Sequence, residues 1–210
     1  RRFRLRVLIR HEARRIDLQA RTVELLDLDS GETHAESYDD LILATGAAPL
    51  LPPIPGIERE GHFSLRNLED MDRIDEWIRS KRPARAVIVG GGFIGLEMAE
   101  QLRRREKKIT VVEAQEHVLA NLDPELAVRV EDELRTHGVD LRLGNAVTAF
   151  EAADEETAQA SIVRLADDTK LPADLVLLAI GVRPEIELAE QAGLELGEHG
   201  GLKVSDRLQT

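Results

Sequence analysis

The chain has 210 residues, 42% of them hydrophobic and 32% charged, as is ordinary for a globular protein. Its formal net charge of −12 makes nucleic acid and anionic membrane surfaces unfavourable partners. No apolar run approaches the ~20 residues that span a bilayer, and no signal peptide is recognisable. The sequence has no cysteine and its six histidines show no ligand spacing, so we predict no metal site and a cytoplasmic location.

The first quarter of the chain predicts a small antiparallel meander followed by a buried strand. Residues 3–9 and 14–28 supply short strand-like pieces, and residues 29–31 read Asp-Ser-Gly, a turn signal. Residues 41–44 are apolar throughout and predict the buried strand. The stretch 50–56 contains three prolines and predicts an extended connector, because proline has no N–H for a ladder.

Residues 67–80 predict an amphipathic helix. Asn67 is placed to cap its first turn, and Asp70 lies where the acid of a capping box would be. Residues 81–83, Lys-Arg-Pro, end the helix, so we expect a new domain to begin near residue 84.

Residues 86–113 carry the clearest functional signal in the sequence. The apolar stretch 86–89 runs into Gly-Gly-Gly-Phe-Ile-Gly at 90–95, and a helical segment leads to a second apolar stretch, 109–112. This order of strand, G-x-G-x-x-G loop, helix and strand is the fingerprint of a dinucleotide-binding βαβ unit. The alternative is a glycine turn in an α/β domain that binds nothing.

Five residues of the loop have a predicted task. Gly90 allows the tight turn out of the strand, Gly92 lets a pyrophosphate approach the backbone, and Gly95 lets the helix lie close to the sheet. Phe93 and Ile94 complete the loop at the helix N-terminus, where free N–H groups and a partial positive charge favour phosphates.

Glu113 lies 21 residues after Gly92, where an acid can accept both hydroxyls of an adenosine ribose. Its charge would repel a 2′-phosphate, and residues 114–116 supply no arginine to receive one. The sequence therefore favours NAD(H) over NADP(H) as the cofactor.

The segments around this unit predict a Rossmann-type sheet. We expect parallel strands near 86–90, 109–113 and 139–143 in the order 3-2-1, with the third at a sheet edge because it alternates polar and apolar residues. Small and apolar side chains form one face of the first helix: Gly95, Met98, Ala99 and Leu102. A second helix should begin after Asp123 and end at Gly138, with Leu126, Val130 and Leu134 on its apolar face.

A second meander and a second buried strand follow. Residues 146–151, 161–166 and 169–171 predict the meander, and residues 175–180 are apolar enough to be buried on both faces. Residues 39–49, DDLILATGAAP, resemble residues 174–184, DLVLLAIGVRP. In both, an Asp, a buried strand, Ala-x-Gly and Pro follow one another, which predicts the tail ends of two similar dinucleotide-binding domains.

Taken in order, these motifs resemble the flavin- and nicotinamide-dependent disulfide oxidoreductases, in particular the branch of coenzyme A disulfide reductase and NADH oxidase. The resemblance implies an internal fragment of a homodimeric enzyme that passes hydride from NADH to FAD and on to a disulfide or other small acceptor. It implies an α/β fold with three parts: a partial FAD domain (1–82), an NAD-binding Rossmann domain (84–185) and a return segment (186–210).

The resemblance also implies roles for four further residues. Thr45 and Gly46 match the segment that passes near the FAD adenylate, and Gly181 matches the turn beside the nicotinamide. Glu97 matches an acid near the nicotinamide and flavin; the alternative is an acid of the first helical turn that the helix dipole favours.

The sequence departs from the family pattern in ways that leave the function open. The FAD glycine loop, the redox cysteine, the later Gly-Asp flavin motif and the dimerisation domain are absent. We therefore assign no catalytic residue and expect the 210 residues alone to bind NAD(H) without turnover. The alternatives are a ferredoxin-reductase-type flavoprotein, which needs no cysteine, and a non-catalytic NAD-binding module.

Overall fold

A computed structural model of the chain describes residues 5–153 and 161–210. The chain forms two compact units: a first unit of Arg1–Ala48 with Arg183–Thr210, and a second unit of Pro49–Val182. The domain boundaries near residues 82, 84 and 185 stay a prediction.

The elements in chain order are β1 His11–Asp17, β2 Thr22–Asp27, β3 Thr33–Ser37, β4 Ala47–Pro49, β5 His62–Ser64, α1 Leu68–Lys81, β6 Arg85–Val89, α2 Phe93–Arg104, β7 Lys108–Val112, α3 Pro124–Thr136, β8 Asp140–Arg142, β9 Val147–Glu151, β10 Ser161–Leu165, β11 Lys170–Ala173, β12 Leu175–Leu178, β13 Val182–Pro184 and α4 Glu187–Gln191.

The first unit contains the predicted meander. β1, β2 and β3 pair antiparallel in that order, and α4 packs on β1. The meander begins at His11, so residues 5–9, which we expected to contribute, lie outside it. Among the described residues of this unit, the buried apolar side chains are Ile16 and Ala189.

The strand predicted at residues 41–44 was wrong. These residues form neither helix nor strand, and 88% of Ile42 is exposed. An apolar stretch becomes a strand only where a neighbouring strand supplies acceptors and donors for its backbone. No strand of the described residues pairs with residues 41–44.

The second unit is built on a five-stranded parallel sheet in the order β5-β12-β6-β7-β8. This confirms the predicted parallel order, since β8, β7 and β6 correspond to 3-2-1. β8 ends the sheet, and Leu141 is half-buried between exposed neighbours, as an edge strand with one wet face requires.

Each face of this sheet carries its own hydrophobic core. One core packs α1 and α2 on the sheet, and the buried residues of α2 are the four predicted: Gly95, Met98, Ala99 and Leu102. The other core lies between this sheet and a three-stranded antiparallel sheet in the order β11-β10-β9, where Val163 is fully buried. α1 begins at the predicted capping box, in which Asn67 accepts from the Asp70 N–H.

The predicted apolar face of α3 is right in part, since Val130 and Leu134 are half-buried and Leu134 packs against the core. The helix begins after Asp123 as expected, but Leu126 is 49% exposed, and the buried residues are Ala127 and Glu131. Hydrophobic spacing alone favoured Leu126, whereas Glu131 is buried among hydrogen-bonding groups of residues 117–118 and Arg135.

Candidate functional site

The strands of the parallel sheet end at a cleft of about 480 Å³. Its lining comes from the residues that follow β6, β7, β8 and β12, because the carboxyl ends of parallel strands meet at one edge of the sheet. Four of the predicted site residues come together there: Gly90, Gly92, Glu113 and Gly181.

The glycines of the loop differ in what surrounds them. Gly90 has φ +109°, and a Cβ there would lie 2.3 Å from the Ala179 carbonyl oxygen. A Cβ on Gly95 would lie 2.1 Å from the Gly90 carbonyl oxygen, so this residue sets the close approach of α2 to the strand. A Cβ on Gly92 would meet nothing within 4 Å, so the space beside this backbone is open to the cleft.

α2 begins directly at this open space. Gly92 is its N-cap, and no side chain accepts from the first turn there. The first N–H groups of a helix have no intrahelical acceptor and carry the positive end of the dipole. This terminus therefore presents donors that suit an anion such as a phosphate.

Glu113 follows β7 and reaches back to the glycine loop. Its Oε2 accepts from the Gly91 N–H at 2.7 Å, and its Oε1 accepts from the Gln115 N–H at 2.9 Å. An ionised carboxylate has about four acceptor positions, so the side chain can accept further donors from the cleft. Glu113 thus holds the loop and presents a negative charge on the cleft wall.

The remaining predicted residues lie elsewhere. Phe93 and Ile94 are in the first turn of α2, 64% and 43% exposed. Phe93 and Glu97 line a different groove of the second unit, about 1010 Å³, between α2 and α3. The predicted role of Glu97 near a nicotinamide and flavin, and that of Phe93 and Ile94 in the phosphate-binding loop, stay predictions.

Thr45 and Gly46 belong to the first unit. The Thr45 hydroxyl donates to the Glu185 carbonyl oxygen at 2.6 Å, and the Glu185 N–H donates to the Gly46 carbonyl oxygen at 3.0 Å. Gly46 has φ +77°, a conformation that favours glycine, and a Cβ there would meet nothing within 4 Å. Their predicted place beside an FAD adenylate is a prediction still.

Sequence reasoning missed three contributors to the cleft. Gly91 links the loop to Glu113, and a Cβ there would lie 3.0 Å from Val118 Cγ1. Gln115 donates to Glu113, and Asn145 lines the wall after β8. Since β8 was predicted correctly, the rule that strand ends meet could have identified Asn145.

Two other classes of site are absent from the described residues. No group of three or more His, Cys, Asp or Glu side chains there is arranged to hold a metal ion. No helix in the same part of the chain has the length and apolar character to cross a membrane.

Known proteins resemble the whole chain. The family described as pyridine nucleotide-disulphide oxidoreductase matches residues 1–210. An NADH oxidase of Enterococcus faecalis is 33% identical over 205 residues, covering 97% of this chain and 45% of that protein. A CoA-dependent NAD(P)H sulfur oxidoreductase of Pyrococcus abyssi is 34% identical over 206 residues, with 94% and 45% covered.

The solved structures agree with this result. Reduced CoADR-RHD of Bacillus anthracis superposes with a TM-score of 0.88 at 40% identity, over 95% of this chain and 35% of that one. The chain therefore spans less than half the length of these relatives. With a match over its full length, the chain belongs to the pyridine nucleotide-disulphide oxidoreductase family.

Proposed function

We propose that the second unit binds NAD(H) in the cleft at the carboxyl edge of its sheet. In the longer protein, the bound nicotinamide and FAD would together supply the redox chemistry that reduces a disulfide or another small acceptor. The single observation that carries the proposal is the open backbone at Gly92, where α2 begins without a side-chain cap. A side chain at this position would fill the space that a pyrophosphate needs.

The residues of the cleft fit the parts of NAD(H). The N–H groups at the start of α2 bind and orient the pyrophosphate. Glu113 accepts from the adenosine ribose hydroxyls while its charge excludes a 2′-phosphate. Gly181, with φ +122° and no neighbour within 4 Å of a Cβ, leaves the other end of the cleft open for the nicotinamide half. The bound nicotinamide would supply the hydride.

FAD fits these residues only in part. Gly46 offers an open backbone that an adenylate could approach. The pyrophosphate of FAD needs a second glycine loop, whereas the sequence contains one G-x-G-x-x-G loop, at residues 90–95. We propose that these 210 residues alone bind NAD(H) without flavin and without turnover.

Titration of NADH and NADPH against the wild-type chain and Glu113→Ala tests the nucleotide site. Loss of the carboxylate should weaken NADH binding by about 1.5–3 kcal/mol, the size of hydrogen bonds to a charged group. It should also relieve repulsion of the 2′-phosphate, so the preference for NADH should shrink by more than the NADH affinity falls.

Two further variants separate the causes. Glu113→Gln removes the charge and keeps one acceptor oxygen, which can serve the Gly91 N–H, while its amide nitrogen can no longer accept from the Gln115 N–H. It should gain NADPH affinity and lose less NADH affinity than Glu113→Ala. Glu116→Ala removes an exposed acid of the following loop and should leave both affinities unchanged. Wild-type chain that binds NADPH as tightly as NADH would contradict the cofactor assignment.

A further inference from the structure

Glu131 is a buried acid that the proposed nucleotide site does not use. It lies on α3, only 4% exposed, on the same helix face as the buried Ala127. A carboxylate out of water is costly unless donors surround it, so its partners indicate what its burial achieves.

The donors around Glu131 come mainly from the loop that follows Glu113. The Val118 N–H donates to Oε1 at 3.3 Å, and His117 Nδ1 lies 3.0 Å from the same oxygen. From its own helix, Arg135 Nη2 donates to Oε2 at 3.4 Å. The carboxylate thereby joins α3 to residues 117 and 118.

That loop is in turn fastened to the glycine loop. The Leu119 N–H donates to the Gly91 carbonyl oxygen at 2.9 Å, and Val118 Cγ1 lies against the Gly91 backbone. The Gly91 N–H donates to Glu113. A continuous set of contacts thus runs from Glu131 through Val118 and Gly91 to the acid on the cleft wall.

Backbone strain in the loop shows that it needs such support. Leu119 has φ +50°, a left-handed conformation that is unfavourable for a branched side chain, and it is buried where it lines the cleft. Strained residues persist when neighbouring contacts hold them. Here the contacts are the Glu131 bond to Val118 and the Gly91 bond to Leu119.

We propose that Glu131 is a positioning residue for the adenosine half of NAD(H), an inference that rests on the proposed function. It holds residues 117–119 in place, and they hold Gly91 and Glu113 in the geometry that binds the ribose. Its acceptor oxygen is what matters, since packing volume alone would be supplied equally well by an apolar side chain.

The test compares Glu131→Gln with Glu131→Met, which have similar volumes but differ in whether they can accept from Val118. Glu131→Gln should keep NADH affinity within about threefold of wild type, whereas Glu131→Met should lose about fivefold to tenfold. Glu131→Met also leaves the buried Val118 N–H without its acceptor and should therefore lower stability, so NADH affinity is compared under conditions where urea unfolding shows both variants to be folded. Glu133→Gln, an exposed acid on the same helix, is the matched control and should change neither.

Hydrogen exchange of the Val118 and Leu119 amides gives a second readout, even if Glu131→Met folds poorly. Both amides should exchange slowly in the wild-type chain and more slowly with saturating NADH. Equal NADH affinity in Glu131→Met and wild type, equal losses in both variants, or fast exchange that NADH does not change would overturn the inference alone. A wild-type chain that binds no NADH would overturn the proposed function, and this inference with it.

Discussion

Two stretches with nearly the same sequence pattern have different structures in this protein. Residues 174–178, an Asp followed by four apolar residues, contain β12, whose members are at most 6% exposed. Residues 39–43 of the first unit, two Asp followed by three apolar residues, align with them, yet residues 41–44 form no strand and Ile42 is 88% exposed. The difference shows that an apolar run specifies burial only together with the strands that flank it.

The neighbours of β12 account for its burial. It pairs with β6 on one side and β5 on the other, so its backbone groups are satisfied in the sheet. Asp174 also anchors its start by accepting from the Arg85 guanidinium at 2.9 Å and from the backbone N–H groups of Ala84 and Arg85. Burial raises the pKa of Asp174, but these donors outweigh it and hold the pKa below its usual value.

The largest expected effect comes from truncating equivalent positions of the two stretches. Leu177 is fully buried, so Leu177→Ala should lower the free energy of unfolding by about 2–5 kcal/mol. Ile42 occupies the matching position, and Ile42→Ala should change it by less than about 0.5 kcal/mol. Urea unfolding followed by circular dichroism measures both variants.

Equal destabilisation by the two substitutions would contradict this comparison. If Ile42→Ala destabilised the chain as much as Leu177→Ala, residues 41–44 would be packed in solution, and the contrast with β12 would disappear. Fluorescence of Trp77, the one tryptophan in the sequence, identifies transitions of the second unit, because its Nε1–H donates to the Asp174 carbonyl oxygen.

A smaller effect, on the pH dependence of stability, should come from β5. This strand pairs with β12, whereas residues 41–44 have no such neighbour among the described residues. His62, in β5, donates from Nδ1 to the Ile57 carbonyl oxygen at 3.0 Å and accepts at Nε2 from the Ser161 hydroxyl at 2.7 Å. Burial lowers its pKa below 6.5, with nearby Arg59 adding to the effect, although the hydrogen bond to Ile57 opposes it.

The sign follows from where each state takes up its proton. Above pH 6.5, His62 is neutral in the folded and unfolded chains and does not change stability with pH. As pH falls below 6.5, the unfolded chain binds the proton first, so stability is lost until the folded pKa is passed, by at most about 1.4 kcal/mol per pH unit. Urea unfolding across this window should show the loss in wild type and not in His62→Gln; the same slope in both would refute it.

The sequence predicted what depends on local pattern. The glycine loop, the four buried positions of α2 and the capping box of α1 follow from spacing and backbone geometry, and all are present. Residues 41–44 and the buried face of α3 depend on neighbours distant in sequence. Glu131 illustrates the limit, because no periodicity rule puts an acid inward, and its burial depends on donors at residues 117–118 and on Arg135.

The candidate site shows the same division. Gly90, Gly92 and Glu113 were found from one motif and lie in one cleft. Gly91 and Asn145 were not: the part of Gly91 is its hydrogen bond to Glu113, which the motif does not predict, and Asn145 lines the cleft at a strand end that the predicted strand order could have pointed to. Sequence similarity to the family suggested Glu97, Thr45 and Gly46, and their roles need a bound nucleotide to be tested.

Gly92→Ala tests the central claim, that NAD(H) binds where α2 begins, most directly. Gly92 has φ −81° and open space at its Cβ position, so alanine fits the backbone, and the free energy of unfolding should change by less than about 1 kcal/mol. The added methyl group would occupy the space of the pyrophosphate, so NADH affinity, measured by calorimetric titration, should fall at least about tenfold. A folded Gly92→Ala chain that binds NADH with wild-type affinity would contradict the account.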